Sequence, residues 1–376
     1  TLLLKEKIDE YFSALNTMEK FNGVVFVSKN DTLVIHQAYN LNSDKSSTTY
    51  ITTNSQFDIH SVSKLMARYL IEKYEIEGKV KKEQTVDYFI QDFPNGEKIS
   101  IEMLLNHTSG LPRSFDKIEG DAIELTSAQI MEYAKKQKLI FEPGTDYQYS
   151  NVAYEVIYCI LEEISKKTFA QCLYDEVFQP LSMESSGAHF HIDHHNLKYL
   201  AKNHEKRDSL IVQVDNVLSD EFKTARIFST SEDLNKFLNH VKNEPYASLL
   251  KDDSGVIEKS GGNDGIRVEI YTDLNENYNF IFLANYDEVP FQKTVEDVAK
   301  ILENRPYEVP KAINRQSIKV PLDVLEQYIG TYYFADLGNQ ALKVDVKDDG
   351  LAVYQDEIQI GALKAETNTI FFENPK

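Results

Sequence analysis

What most constrains the fold is where strand patterns fall along the first three hundred residues. Val24-Val25-Phe26-Val27-Ser28 and Thr32-Leu33-Val34-Ile35-His36 flank the polar turn Lys29-Asn30-Asp31 and predict a β-hairpin near the start. Strand patterns return at Gly255–Gly262, Arg267–Tyr271 and Tyr278–Ala284, with Asp273–Asn277 as a turn. Between these ends the chain is mostly helical from Ser61 to about Lys167, broken at Pro94-Asn95-Gly96 and Pro143-Gly144. A helical stripe at Ile8, Tyr11, Phe12 and Leu15 precedes the hairpin, and Phe291–Leu302 reads as a helix after the last strand. Such an order predicts one largely antiparallel sheet built from both ends of a domain, with helices inserted between them.

Beyond it, Arg305–Pro321 holds Pro306, Pro310 and Pro321 with little periodicity and reads as a linker. Short strand patterns at Tyr328–Phe334, Ala341–Val346, Leu351–Tyr354 and Glu357–Ile360 predict a small all-β module. The expected organisation is a domain over 1–304, a linker over 305–320 and the module over 321–376.

Composition narrows the partners. Sixty acidic against 40 basic residues give a net charge of -20, which argues against nucleic acid or an anionic membrane as partner. No apolar run is long enough to span a membrane. Cys159 and Cys172 lie among apolar neighbours in helical patterns and read as buried free thiols, not as a disulfide or metal site. His189, His191, His194 and His195, with Asp193 among them, have no known ligand spacing and read as a polar loop, not a zinc site. No cofactor or metal is indicated.

Within the helical stretch, Phe57–Leu70 contains Ser61 and Lys64 at the expected start of a helix. Free backbone NH groups and the positive dipole end favour developing negative charge there. Three helical residues turn the chain by about 300°, so Ser61 and Lys64 share a face while Ser63 points elsewhere. A desolvated lysine can take the proton of a serine hydroxyl and make it a nucleophile. Further on, Ile101–Pro112 runs a helix into a Gly-Leu-Pro stop, where His107 reads as a loop anchor and not as a base. Phe141–Asn151 is a polar, aromatic turn in which Tyr149 and Asn151, two apart, can point together into a cleft. Ser229 or Thr230 is expected to cap the helix that follows.

Taken in order, Ser61-x-x-Lys64, Tyr149-Ser150-Asn151 and Lys259-Ser260-Gly261 resemble the three motifs of the serine β-lactamase and penicillin-binding-protein superfamily, the Tyr-x-Asn form being that of its class C branch. Leu104–Leu111, Phe141–Gly144, Pro180–Met183 and Ser229-Thr230 extend the resemblance over roughly residues 5 to 303. It implies an α/β (α+β) fold, with an antiparallel sheet flanked by helices and an all-helical subdomain; the small β module resembles the barrel-like domains often appended to such proteins. It also implies a bacterial serine hydrolase, periplasmic or extracellular, acting through an acyl-enzyme on a peptidoglycan-derived or other small substrate: a cell-wall-type peptide, amide, β-lactam or ester, those with D-amino acids among them. A promiscuous carboxylesterase and a penicillin- or peptidoglycan-binding protein without turnover are the alternatives.

By the same resemblance Ser61 is the nucleophile, Lys64 and Tyr149 share the proton transfers, and Asn151 orients Lys64 and the substrate. The NH groups of Ser61 and Gly262 form the oxyanion hole, Lys259 draws Tyr149 toward its phenolate, and Ser260 beside Gly261 contacts a substrate carboxylate. Two departures stand out. Many esterase-like relatives carry His where this chain has Lys259, which leans toward carboxylate-bearing substrates. A glycine pair expected before Ser229-Thr230 is replaced by Ala225-Arg226.

Overall fold

Strands β1 (Gly23–Lys29) and β2 (Thr32–Tyr39) form the expected hairpin, turned by Asn30 and Asp31 in left-handed conformations. Strands β3 (Val256–Asn263), β4 (Ile266–Asp273) and β5 (Tyr278–Ala284) join them in the order β2-β1-β5-β4-β3, every pair antiparallel. Gly23 lies opposite Ala284 and Lys29 opposite Tyr278, so the two ends of the domain meet at the sheet centre. Both central strands are apolar almost throughout because both their faces are covered. The structure, a computed structural model, describes residues 2–115, 126–188, 197–214, 227–312, 316–334, 340–355 and 358–373.

Helix α1 (Leu2–Thr17) lays Ile8, Tyr11, Phe12 and Leu15 on one face of the sheet, with Val298 and Ile301 of α5 (Phe291–Leu302) beside them. Burial of each such side chain stabilises the fold by about 1.5–3 kcal/mol. Tyr11 OH donates to Asp297 Oδ2 at 3.2 Å, and Lys293 and Lys300 pair with the same buried carboxylate. The other face belongs to the larger core, which takes in α2 (Ser63–Ile76), α3 (Asn151–Ser165) and α4 (Ser231–Val241). Thr230 caps α4, its hydroxyl accepting from the Asp233 NH.

Three short strands, Phe57–Asp58, Ile227–Ser229 and Gly187–Ala188, form a small antiparallel sheet that fixes the approach to Ser61. Cys172 is buried, with Sγ 3.2 Å from the Tyr74 hydroxyl, whereas Cys159 is only half-buried; both are free thiols.

The chain divides into two compact units, one of Thr1–Lys206 and Ile211–Pro310, the other of Arg207–Leu210 and Lys311–Lys376. The proline-rich stretch read as a linker is shared between them: Tyr307 packs on the α1 cluster, and the Ile318 NH donates to the Ala365 carbonyl. The second unit is an antiparallel meander of β6 (Gly330–Phe334), β7 (Gln340–Lys347), β8 (Gly350–Gln355), β9 (Ile358–Ala365) and β10 (Phe371–Glu373). The His189–His195 cluster and Ala225-Arg226 lie outside the described residues. Among the described residues no group of side chains could hold a metal ion, and no helix is long and apolar enough to cross a membrane.

Candidate active site

Ser61 sits in a single 3-10 turn, His60–Val62, that leads into α2. His60 is held at φ 45°, a left-handed conformation that costs a non-glycine residue roughly 1–3 kcal/mol. Ser63 Oγ donates to the His60 carbonyl at 2.6 Å, so it is committed to the backbone and turned from the cavity. Lys64, one turn on, is 2% exposed and donates from Nζ to Ser61 Oγ at 2.9 Å. Its ammonium stands 5.3 Å and 5.6 Å from the ring centroids of Tyr149 and Tyr154, aromatic faces that attract a cation in place of water.

Tyr149 arrives from the loop before α3, and its hydroxyl donates to Ser61 Oγ at 2.8 Å. That loop is laced to the one after Leu105. Gly144 NH donates to the Thr108 carbonyl, Gln148 NH to the His107 carbonyl, and Asn151 NH to the Arg113 carbonyl. Ser150 caps α3 through its hydroxyl, which also donates to the Pro112 carbonyl at 2.7 Å. His107 is the hub, accepting the Ser150 NH at Nδ1 and stacking 4.4 Å from the Tyr149 ring. It serves as the loop anchor that its sequence context suggests.

Burial, with the charges of Lys259, Lys64 and Arg68 behind it, pushes the His107 imidazole from the ordinary 6.5 down to about 3. The folded protein then binds this proton only near pH 3, and the unfolded chain near 6.5. Stability from this group is complete above about pH 6.5 and falls as pH drops toward 3, by at most about 1.4 kcal/mol per pH unit. His107→Asn keeps a residue tolerant of the left-handed φ of 60° found here but has nothing to titrate. In urea unfolding, the stability gap between wild type and His107→Asn is expected to narrow steadily from about pH 7 to about pH 4.5. A gap independent of pH counts against the buried neutral imidazole.

The third wall is β3, the edge strand of the sheet, which brings Lys259, Ser260, Gly261 and Gly262 alongside the Ser61 turn. Gly261 makes this approach possible: a Cβ there would lie 2.4 Å from the Ile59 carbonyl oxygen and 2.9 Å from the Ser61 nitrogen. Lys259 Nζ stands 5.5 Å from the Tyr149 ring centroid. Burial lowers its pKa; the Tyr149 hydroxyl opposes that shift, and the Lys64 charge adds to it. Glu269, on the neighbouring β4, is buried, and its Oε1 has no hydrogen-bond partner among the described residues. Burial and the charge of Glu258 drive its carboxyl well above the usual range, against the pull of Lys259.

Ser61, Lys64, Tyr149, Asn151, Lys259, Ser260, Gly261 and Gly262 all line one cavity of about 820 Å³. Sequence reasoning passed over Arg113 and Arg267, which line it, and over Tyr154 and Glu269, which lie near Lys64 and Lys259 without lining it. Arg113 lies just after Leu111-Pro112, its guanidinium 5.2 Å from the Tyr149 ring centroid. Arg267 faces Gly262 across the β3–β4 pair, a placement that counting through the Asp264-Gly265 turn would have found.

Comparison with known proteins finds relatives in sequence and in fold. Penicillin-binding protein 4* of Bacillus subtilis (strain 168) is 22% identical over 379 residues, covering 88% of this chain and 84% of that protein. Teichoic acid D-alanine hydrolase of Staphylococcus aureus (strain MRSA252) is 26% identical over 238 residues, 63% of this chain and 57% of that one. The crystal structure of a class C beta lactamase superimposes with a TM-score of 0.65 at 17% identity, covering 80% of this chain and 97% of that chain. Residues 8–266 match the Beta-lactamase family, and the chain belongs to that family.

Proposed function

We propose that the protein is a serine hydrolase that acts through an acyl-enzyme on Ser61, on peptides, amides, β-lactams or esters of cell-wall type with a carboxylate beside the scissile bond. The supporting observation is the double contact on Ser61 Oγ, from Lys64 Nζ at 2.9 Å and Tyr149 OH at 2.8 Å. A hydroxyl has one proton and two lone pairs, so either contact can reverse. When Lys64 is a neutral amine or Tyr149 a phenolate, that group takes the serine proton as Oγ bonds to the substrate carbonyl carbon. The carbonyl electrons move onto oxygen, held by the NH groups of Ser61 and Gly262. As they return, the bond to the leaving nitrogen or oxygen breaks and the same pair delivers the proton to it. Water then repeats the cycle on the ester and frees the acid.

Lys259, 5.5 Å from the Tyr149 ring centroid, favours the phenolate by its charge, and Asn151 orients Lys64 and the substrate amide. The Lys259 ammonium and the exposed Ser260 hydroxyl offer charge-assisted donors to a carboxylate on the leaving group. Such a substrate lies outside the cytoplasmic membrane, in keeping with relatives named for penicillin binding and teichoic acid D-alanine.

The decisive experiment is the intact mass after exposure to a fluorophosphonate and to a penicillin. A mass increase on Ser61 identifies the nucleophile; rapid loss of the penicilloyl adduct marks a hydrolase, and a persistent one a sensor without turnover. At equal intrinsic reactivity a D-alanyl substrate should acylate faster than a neutral ester; the reverse by about tenfold, or about 1.4 kcal/mol of barrier, with no effect of Ser260→Ala, replaces this reading with an esterase. Tyr149→Phe removes one of the two contacts and is expected to slow acylation by about 10². Unchanged acylation in Tyr149→Phe assigns the whole base role to Lys64.

A further inference from the structure

The cavity carries more positive charge than hydrolysis uses. Besides Lys64 and Lys259 it is lined by Arg113 and Arg267, and among the described residues its only acidic side chain is Asp264. The chain as a whole has a net charge of -20, so these cations are a local concentration and not a reflection of composition. A cleft with low-dielectric walls focuses such a field on whatever enters it.

Arg267 has a defined place in that field. It lies over Gly262, close enough that a Cβ on the glycine would meet its Cδ at 3.1 Å and Nη1 at 3.3 Å. Nη1 donates to the carbonyls of Asn263 at 2.5 Å and Ile266 at 2.7 Å, which fixes the guanidinium beside the strand. Among the described residues these two bonds use Nη1 alone; the Asp287 carboxylate, which accepts from the Gly265 NH, also attracts this guanidinium, and the Nε and Nη2 edge of the five-donor fork is left to hydrogen-bond a ligand. In the hydrolase reading the scissile carbonyl lies at Gly262 and the leaving group extends back along the strand, its carboxylate turned toward the side chains of Ser260 and Lys259, two and three residues away at ~3.3 Å per residue. The acyl group therefore runs the other way, past Gly262 to Asn263, whose carbonyl the Arg267 guanidinium holds.

We infer that Arg267 is a specificity-determining residue that selects acyl groups bearing a second oxyanion, a carboxylate or a phosphate, with Arg113, beside Tyr149 in the same cavity, adding to the field. The inference rests on the serine-hydrolase reading above; the acyl transfer is the same, and only recognition of the acyl group is new. Tying the β3–β4 turn is the alternative role for Arg267, and it needs no preference among substrates.

The test uses three thioesters with one carboxylate-bearing leaving group and acyl groups ending in a neutral amide, a carboxylate or a phosphate. Their kcat/KM values are measured on wild type, Arg267→Gln, Arg267→Lys and Arg113→Gln, with fluorophosphonate labelling of Ser61 on each protein. Wild type is expected to favour an anionic acyl end by about tenfold or more, the effect of one charge-assisted bond. Arg267→Gln collapses the ratio, Arg267→Lys restores part of it, and Arg113→Gln lowers it less. Comparison of the carboxylate and phosphate arms identifies which oxyanion the fork prefers. Equal rates for the three substrates on a wild type that labels overturn this inference and leave the hydrolase standing, as does a preference that survives in Arg267→Gln. Wild type that neither labels nor hydrolyses any of them overturns both.

Discussion

Ser61→Ala is expected to lower hydrolysis by about 10⁴ or more while the protein stays folded, since removing a serine nucleophile disables every group that acts through it. Oγ makes its contacts with Lys64 and Tyr149 inside the cavity, so its loss opens no void in the apolar core. The stability change is a lost hydrogen bond to a buried ammonium, about 1–3 kcal/mol at most, and less where water from the open cavity replaces the hydroxyl. Turnover of a chromogenic substrate, fluorophosphonate labelling and a thermal melt together make the measurement. If most of the hydrolysis persisted in a folded Ser61→Ala protein, the assignment of Ser61 as nucleophile would fail.

Gly261→Ala is expected to cost on the order of 10² to 10³ in acylation rate, although the added methyl is neither polar nor charged. The new Cβ meets the Ile59 carbonyl oxygen at 2.4 Å, the Ser61 nitrogen at 2.9 Å and Val268 Cγ2 at 3.0 Å. Two of those atoms are backbone and cannot swing aside. Either the edge strand retreats or the Ser61 turn moves, and both change the distance between Ser61 and Gly262, where the carbonyl oxygen has to fit. Overpacking of this kind also costs about 1–3 kcal/mol of stability. Acylation rates measured on folded protein separate the two effects; a folded Gly261→Ala protein that acylates at the wild-type rate shows that the close approach of β3 is not needed.

Much of this was legible in the residues because the informative ones stand where backbone geometry leaves little choice. Ser61 lies in the turn that leads into a helix, Tyr149 stands just before the serine that caps another, and Lys259 lies in the polar stretch after the apolar start of its strand. The two-ended sheet was legible for a related reason: β1 and β5 are buried on both faces and read as apolar runs. The small sheet of Phe57–Asp58, Ile227–Ser229 and Gly187–Ala188 was not, since strands of two or three residues carry no period. Nor were Arg113, Arg267 and Glu269, which join the site only through tertiary pairing. Glu269 pairs with Ser260 on the adjacent strand, and an isolated Val-Glu-Ile gives no sign that its acid is buried beside a lysine.

The sheet order has a consequence for the sequence of events during synthesis. Chains grow from the N-terminus, yet β1 takes β5 as its second neighbour, with Gly23 paired to Ala284. Until residues near 284 have emerged, the first hairpin has one apolar edge open, and Ser61 has no edge strand beside it. Ser61, Lys64 and the β3 strand come together only when this long loop closes, the kind of non-local pairing that makes folding slow. A nascent chain therefore carries Ser61 and Lys64 for most of its synthesis without the cavity that lets them act.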